Sequence, residues 1–141
     1  MTLVGRHAHK LAIATAAGIA TRLAGSLDGL AGSFDAVVEA TGNAEGLATA
    51  LTLARPRGTV VLKTTVNDPI TIDLAPAVIH ELRLIGSRCG DLGRALRALE
   101  SGAVDPRPLV VARYRLDDAE RAFAHASERG VLKVLVDIAA A

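Results

Sequence analysis

The sequence predicts a doubly wound α/β layer built on a parallel sheet, and two observations carry that prediction. Short apolar blocks bounded by Gly and Pro alternate along the chain with segments whose apolar residues recur at helical spacing. Strands that alternate with helices of roughly ten residues need crossover connections, and right-handed crossovers place helices on both faces of a parallel sheet. The second observation is composition: 141 residues, 50% hydrophobic and 22% charged, make one domain with ample material for a core. No internal repeat or low-complexity tract interrupts the pattern.

Thr2-Leu3-Val4 is a short strand at the first residues. His9 to Gly18 follows as a helix, with Leu11, Ala14 and Ala17 at helical spacing and Gly18 as its stop. Ala20 to Leu23 reads as another short strand, and Gly25 to Ser33 as loop or weak helix. Phe34 to Thr41 is the clearest buried strand, punctuated by Gly42 and Asn43. Asn43 caps a helix that runs to about Ala54, with Leu47, Ala50, Leu51 and Ala54 on one face. Pro56 and Gly58 turn the chain into the strand Thr59 to Leu62. After Asp68 and Pro69, the alternation of Ile70, Ile72 and Leu74 suits an edge strand. Leu82 to Ile85 is the next strand, closed by Gly86. Asp91 caps a helix with Leu92, Ala95, Leu96 and Leu99 on one face, and Leu109 to Val111 is extended. Asp117 or Asp118 starts a last helix that Gly130 ends, and Leu132 to Ile138 is the final strand.

Composition excludes several functions. Sixteen Lys and Arg against fifteen Asp and Glu leave +1, which lacks the footprint of nucleic-acid or anionic-membrane binding. The aromatic residues, Phe34, Phe123 and Tyr114, are too few for a base-stacking platform. A single cysteine, Cys89, excludes an internal disulfide and suggests a reducing, cytoplasmic compartment. No uninterrupted apolar run approaches the roughly 18 residues of a membrane span.

An open parallel sheet binds ligands at the carboxyl ends of its strands, so the residues just past each strand are the ones to read. They are Gly5-Arg6-His7, Thr41-Gly42-Asn43, Lys63-Thr64-Thr65 and Ser87-Arg88-Cys89-Gly90. Most are small, polar or cationic, which suits either ordinary turns or a crevice for a phosphorylated ligand. In a dinucleotide site an acid at the end of the second strand accepts bonds from the adenosine ribose hydroxyls. Here Gly5 holds that place, with Arg6 beside it and Lys10 a turn on. A glycine next to a guanidinium makes room for a 2′-phosphate and can bind it through a fork of donors; the alternative is a solvated basic turn. No Gly-x-Gly-x-x-Gly and no phosphate-binding Lys-Ser/Thr loop occurs. His7 and His9 lie on one turn, His80 and His125 stand alone, and Cys89 has no histidine near it in sequence. Asp117 and Asp118 sit at a helix start, where capping accounts for them.

The ordered series Phe34 to Gly42, Arg55 to Lys63, Leu84 to Gly90 and Leu132 to Val136 resembles the medium-chain dehydrogenase/reductase family, in its zinc-dependent alcohol dehydrogenase-like branch. The resemblance covers nearly the whole chain but only the later part of such an enzyme. It implies a Rossmann-like cofactor domain entered at its second strand. The first strand, the glycine-rich turn and the catalytic domain with its zinc ligands would then all lie outside it. Residues from 105 onward would form the segment that in the family packs back toward the catalytic domain.

Roles follow from the resemblance residue by residue. Gly5 stands where NAD-preferring members carry the acid, and Arg6 with Lys10 would face the adenosine ribose or its 2′-phosphate. Thr41 and Gly42 would border the ribose next to the nicotinamide. Main-chain groups at Leu62, Thr64, Ser87 and Cys89 would hold the carboxamide, and Lys133 would contact the pyrophosphate. Lys63 departs from the small residue frequent at its position. NADP is the expected cofactor, with NAD the alternative; zinc is expected only in a full-length enzyme. Subunits of the family pair through the segment corresponding to Ile70–Leu74, so a homodimer is expected.

The family's strand order, 3-2-1-4-5-6, makes the absent strand central. Without it the flanking strands would stand about 9–10 Å apart, two ladder spacings. Each backbone group left unpaired and buried would cost on the order of 1–3 kcal/mol, against a domain stability of about 5–15 kcal/mol. The expectation is a chain that is poorly stable, rearranged or completed by another chain, from a misread gene start or a truncated gene. The functional reading is the cofactor-binding portion of an NAD(P)-dependent alcohol or polyol dehydrogenase, inactive alone. A non-catalytic nucleotide-binding or dimerisation module and one half of a split enzyme are the alternatives.

Overall fold

Each stretch of helical period in the first half of the chain crosses between two parallel strands. The strand β1 (Thr2–Gly5) is followed by the helix α1 (Ala8–Ala16) and the strand β2 (Ala20–Leu23), and β2 lies parallel to β1. Gly18 takes a φ of +77°, a left-handed turn that ends α1 and that a side chain would strain. The strand β3 (Phe34–Glu39), the helix α2 (Ala44–Leu53) and the strand β4 (Ala54–Leu62) repeat the unit. The short helix α3 (Ala75–Ile79) leads to β5 (Arg83–Gly86). After α4 (Leu92–Glu100) come β6 (Val110–Arg115), α5 (Ala119–Ala126) and β7 (Lys133–Asp137). This computed structural model describes residues 1–65 and 69–138.

Every strand pairing among the described residues is parallel, as the sequence predicts: β1 with β2, β3–β4–β5 in that order, and β6 with β7. The chain divides into two units, Leu27–Asp91 holding the three-stranded sheet, and Met1–Ser26 with Leu92–Ala141 holding the two pairs. Among the described residues β1 bonds only to β2 and β3 only to β4.

The core of the three-stranded unit is the predicted face of α2. Ala50, Leu51 and Ala54 close on Val60 of β4, with Val37, Leu47, Leu62 and Ile72 packed around them. Asn43 caps the helix as predicted, its side-chain oxygen accepting from Gly46 N at 2.9 Å. β4 begins directly after α2 and shifts its register against β3 between Phe34 and Ala36. Gly58 belongs in that bend, where a Cβ would meet the Arg55 carbonyl at 2.7 Å. Arg55 Nε donates to Asp35 at 2.6 Å and ties the bend to β3.

Two sequence expectations are corrected. The strand from Phe34 is buried on one face only: Val37 and Glu39 turn inward, while Val38 is 61% exposed because no layer covers its face among the described residues. Ile70–Leu74 forms no strand, since a strand needs a laddered neighbour and none is bonded to it among the described residues. Its alternation survives as a side-chain pattern, Ile72 packing on the core and Ile70 and Leu74 facing out. Asp68, placed before it in the sequence reading, lies outside the described residues. The apolar face of α4 is open, with Leu92 81% and Leu96 56% exposed.

These exposures separate two leucines of equal size. Leu51→Ala is expected to cost about 2–5 kcal/mol, and Leu96→Ala less than about 0.5 kcal/mol. Urea unfolding of the two variants checks this; equal losses would mean that the α4 face is covered in solution.

Candidate functional site

In the three-stranded unit the strand ends are level, Glu39 pairing with Leu62 and Leu62 with Gly86. The turns carrying Thr41, Gly42, Thr64, Ser87 and Cys89 therefore leave one edge of one sheet, as the sequence reading expects. Lys63 N donates to the Glu39 carbonyl at 3.0 Å and Ser87 N to the Leu62 carbonyl at 2.9 Å. The Lys63 ammonium donates to the Arg88 carbonyl, reaching from the end of β4 to the segment after β5. Thr64, Ser87 and Cys89 are exposed.

Glu39 organises the first of these turns, and the sequence reading passed over it as one residue of an apolar strand. It is 7% exposed, and one oxygen, Oε1, accepts from Thr41 N at 2.5 Å, Thr41 Oγ1 at 2.6 Å and Gly42 N at 3.2 Å. A buried carboxylate is tolerated when it collects such charge-assisted bonds. Gly42 enters the left-handed region at φ +74°. Gly46 completes the turn: a Cβ there would lie 1.8 Å from Thr41 Oγ1, so only glycine lets the first turn of α2 come this close. The signal was an acid inside an apolar strand, two residues before Thr-Gly.

The other unit holds the basic turn between β1 and α1. Gly5 ends β1, and a Cβ on it would sit 2.9 Å from Cδ2 of the buried Leu11, so a side chain at this position would require the leucine methyl to shift. Arg6 is exposed and makes no ion pair among the described residues. Lys10 donates to the Val131 carbonyl at 3.2 Å, and His9 Nε2 lies 3.2 Å from the Gly130 carbonyl. Those two bonds bring the turn before β7, with Arg129 and then Lys133, against the start of α1. Arg129 was missed because it stands more than a hundred residues away in sequence.

Burial and then the charges of Lys10, His9, Arg129 and Arg6 hold His7 below the usual histidine range. No side chain caps α1 and no acid lies in its first turn. The apolar groove between α1 and β2, of about 670 Å³, offers only Arg22 as a titratable lining group.

One unit has level parallel strand ends with small and polar turns, and the other has a strand that ends in Gly-Arg; open parallel sheets bind their ligands at such strand ends. Residues 1–101 match the model of the zinc-binding dehydrogenases, and the chain belongs to that family. It is 32% identical over 122 residues to a protein of Rhizobium meliloti (strain 1021) provisionally named a D-xylulose reductase, covering 85% of this chain and 35% of that one. L-idonate 5-dehydrogenase of Escherichia coli K-12 shares the fold at a TM-score of 0.85 and 23% identity, over 96% of this chain and 42% of that one. A provisionally named zinc-binding dehydrogenase of Sinorhizobium meliloti 1021, solved bound to NADP, gives 0.81 at 28% identity, over 97% of this chain and 44% of that one. The chain thus spans about a third of the curated relative and under half of the solved chains. Among the described residues no cluster of His, Cys, Asp and Glu could hold a metal ion, so they do not fit the zinc of the family's name. No helix among them is long and apolar enough to cross a membrane.

Gly46 supplies a direct check of the Glu39 turn. Gly46→Ala is expected to destabilise by about 1–3 kcal/mol or more through forced displacement of Thr41, while Gly25→Ala, in open space, leaves the melting temperature nearly unchanged. An unchanged melt for Gly46→Ala would contradict the close approach.

Proposed function

We propose that this chain is the cofactor-binding portion of an NAD(P)-dependent alcohol or polyol dehydrogenase and turns over no alcohol by itself. The observation that carries the reading is the end of β1, where Gly5 stands in place of an acid and the exposed Arg6 makes no ion pair among the described residues. A carboxylate there would repel a 2′-phosphate; an exposed guanidinium can grip one with two donors. NADP is therefore the preferred cofactor and NAD the alternative.

Arg6 and Lys10 face the adenosine ribose, with Lys133 toward the pyrophosphate. Thr41 and Gly42, fixed by Glu39, border the ribose at the nicotinamide end. Main-chain groups of Leu62, Thr64, Ser87 and Cys89 hold the carboxamide. When bound, the nicotinamide supplies a hydride acceptor, and the residues here orient it. Two copies pair through Ile70–Leu74, whose outward residues lack a laddered partner among the described residues.

Calorimetry on the 141-residue chain tests the cofactor reading. Arg6→Ala is expected to weaken NADPH by roughly tenfold or more, the loss of a charged hydrogen bond, and to change NADH little. Equal effects on both, or robust alcohol oxidation by the purified chain, would overturn it. Sedimentation tests the pairing: the wild type is expected to be a dimer and an Ile70→Asp, Leu74→Asp double variant a monomer, whereas a monomeric wild type refutes it.

A further inference from the structure

We propose that His7 and Arg129 complete a pH-sensitive receptor for a phosphate monoester on the adenosine ribose, so that preference for the phosphorylated dinucleotide grows as pH falls from about 8 toward 6.5. The inference rests on the reading of the β1–α1 turn as the adenosine end of the site, and it adds residues and a proton to that reading. All of its groups lie in one unit of the chain.

Geometry gathers the cations. The His7 and His9 rings stand 5.7 Å apart at 37°. His9 and Lys10 are anchored on the Gly130 and Val131 carbonyls, which fixes Arg129 within electrostatic reach of His7. The charges acting on His7 are Lys10, His9, Arg129 and Arg6, all cationic or able to become so. Glu128, the carboxylate on the same turn as Arg129, is not among them. Arg6 and Arg129 form no ion pair among the described residues. Such a cluster repels a further proton while empty and accepts one readily beside a dianion.

The sign follows from linkage. Free His7 is held below the usual histidine range by burial first and then by its cationic neighbours, which favours the neutral imidazole. A phosphate dianion beside it raises the pKa, and binding then takes up a proton from solvent onto the imidazole. Affinity for the phosphorylated ligand therefore rises as pH falls through the raised pKa and levels off below the free one. The ligand's own second pKa, about 6, closes the window on the acid side. A nucleotide without the 2′-phosphate offers no dianion at this position and no such gain.

Imidazole NMR of the full chain, titrated with pH, reads this directly. Adenosine 2′,5′-bisphosphate is expected to move the His7 midpoint upward, and adenosine 5′-monophosphate and inorganic phosphate to leave it in place. His7→Gln should retain bisphosphate affinity at pH about 8 and lose roughly three- to tenfold at about 6.5. Arg129→Ala should weaken the bisphosphate about tenfold and the monophosphate little. Bisphosphate binding that leaves His7 unmoved overturns the proposal while the cofactor reading stands. An equal shift with all three probes means an adventitious ion only and overturns it as well. Absence of binding by either adenosine nucleotide overturns the proposal and the cofactor reading together.

Discussion

The carboxylate of Glu39 is the interaction on which the three-stranded unit's open edge depends. A parallel strand ends with backbone N–H groups that no further ladder satisfies, and the turn beyond it must find acceptors. Glu39 Oε1 supplies one acceptor to the Thr41 amide, the Thr41 hydroxyl and the Gly42 amide at once. Its own carbonyl accepts from Lys63 N, and the Leu62 carbonyl in turn accepts from Ser87 N. The ends of β3, β4 and β5 are thereby stepped together. Gly46 is the steric half of the same device, because α2 can approach Thr41 only without a Cβ.

Against this ordered edge stand the faces that nothing covers. Val38 on β3, Leu84 and Ile85 on β5, the leucines of α4 and Phe123 on α5 are all exposed among the described residues. Isolated apolar residues at a surface need no explanation, but side chains in register along strands and helices do. They belong to elements whose apolar pattern suits burial. The relatives extend well beyond the length matched here.

What was legible in the sequence follows the range of the interaction. The α2 helix could be read because its cap, Asn43, and its face, Leu47, Ala50, Leu51 and Ala54, are local patterns. Parallel pairing followed from alternation and connection length. The strand at Ile70–Leu74 failed because alternation records which side chains face in, and a ladder also needs a neighbour. Val38 was misjudged for the same reason: a strand's composition shows that it suits burial, while its exposure depends on the layers around it. Arg6 and Lys10 stand next to a strand end and were readable; Arg129 reaches their neighbourhood only through bonds from His9 and Lys10 to a turn 121 residues distant. Glu39 was visible in the sequence, but its role lies in geometry, three donors on one oxygen.

The chain carries a formal charge of only +1, so the basic character of the β1–α1 turn is one of position. Five other arginines are matched to acids, Arg55 with Asp35, Arg57 with Glu81, Arg107 with Asp105, Arg113 with Asp137 and Arg121 with Asp118. At exposed sites such pairs add little stability, but they leave little field to attract an anion. Arg6 and Arg129 have no such partner among the described residues, and Lys10 spends a donor on a neutral carbonyl, which leaves its charge unneutralised. Positive charge therefore remains at the β1–α1 turn, which belongs to the unit of β1, α1 and β7. The Glu39 edge belongs to the other unit. The two units thus carry different physics, uncompensated charge in one and backbone geometry in the other. Salt should weaken the first within a Debye length of about 8–10 Å and leave the second nearly untouched.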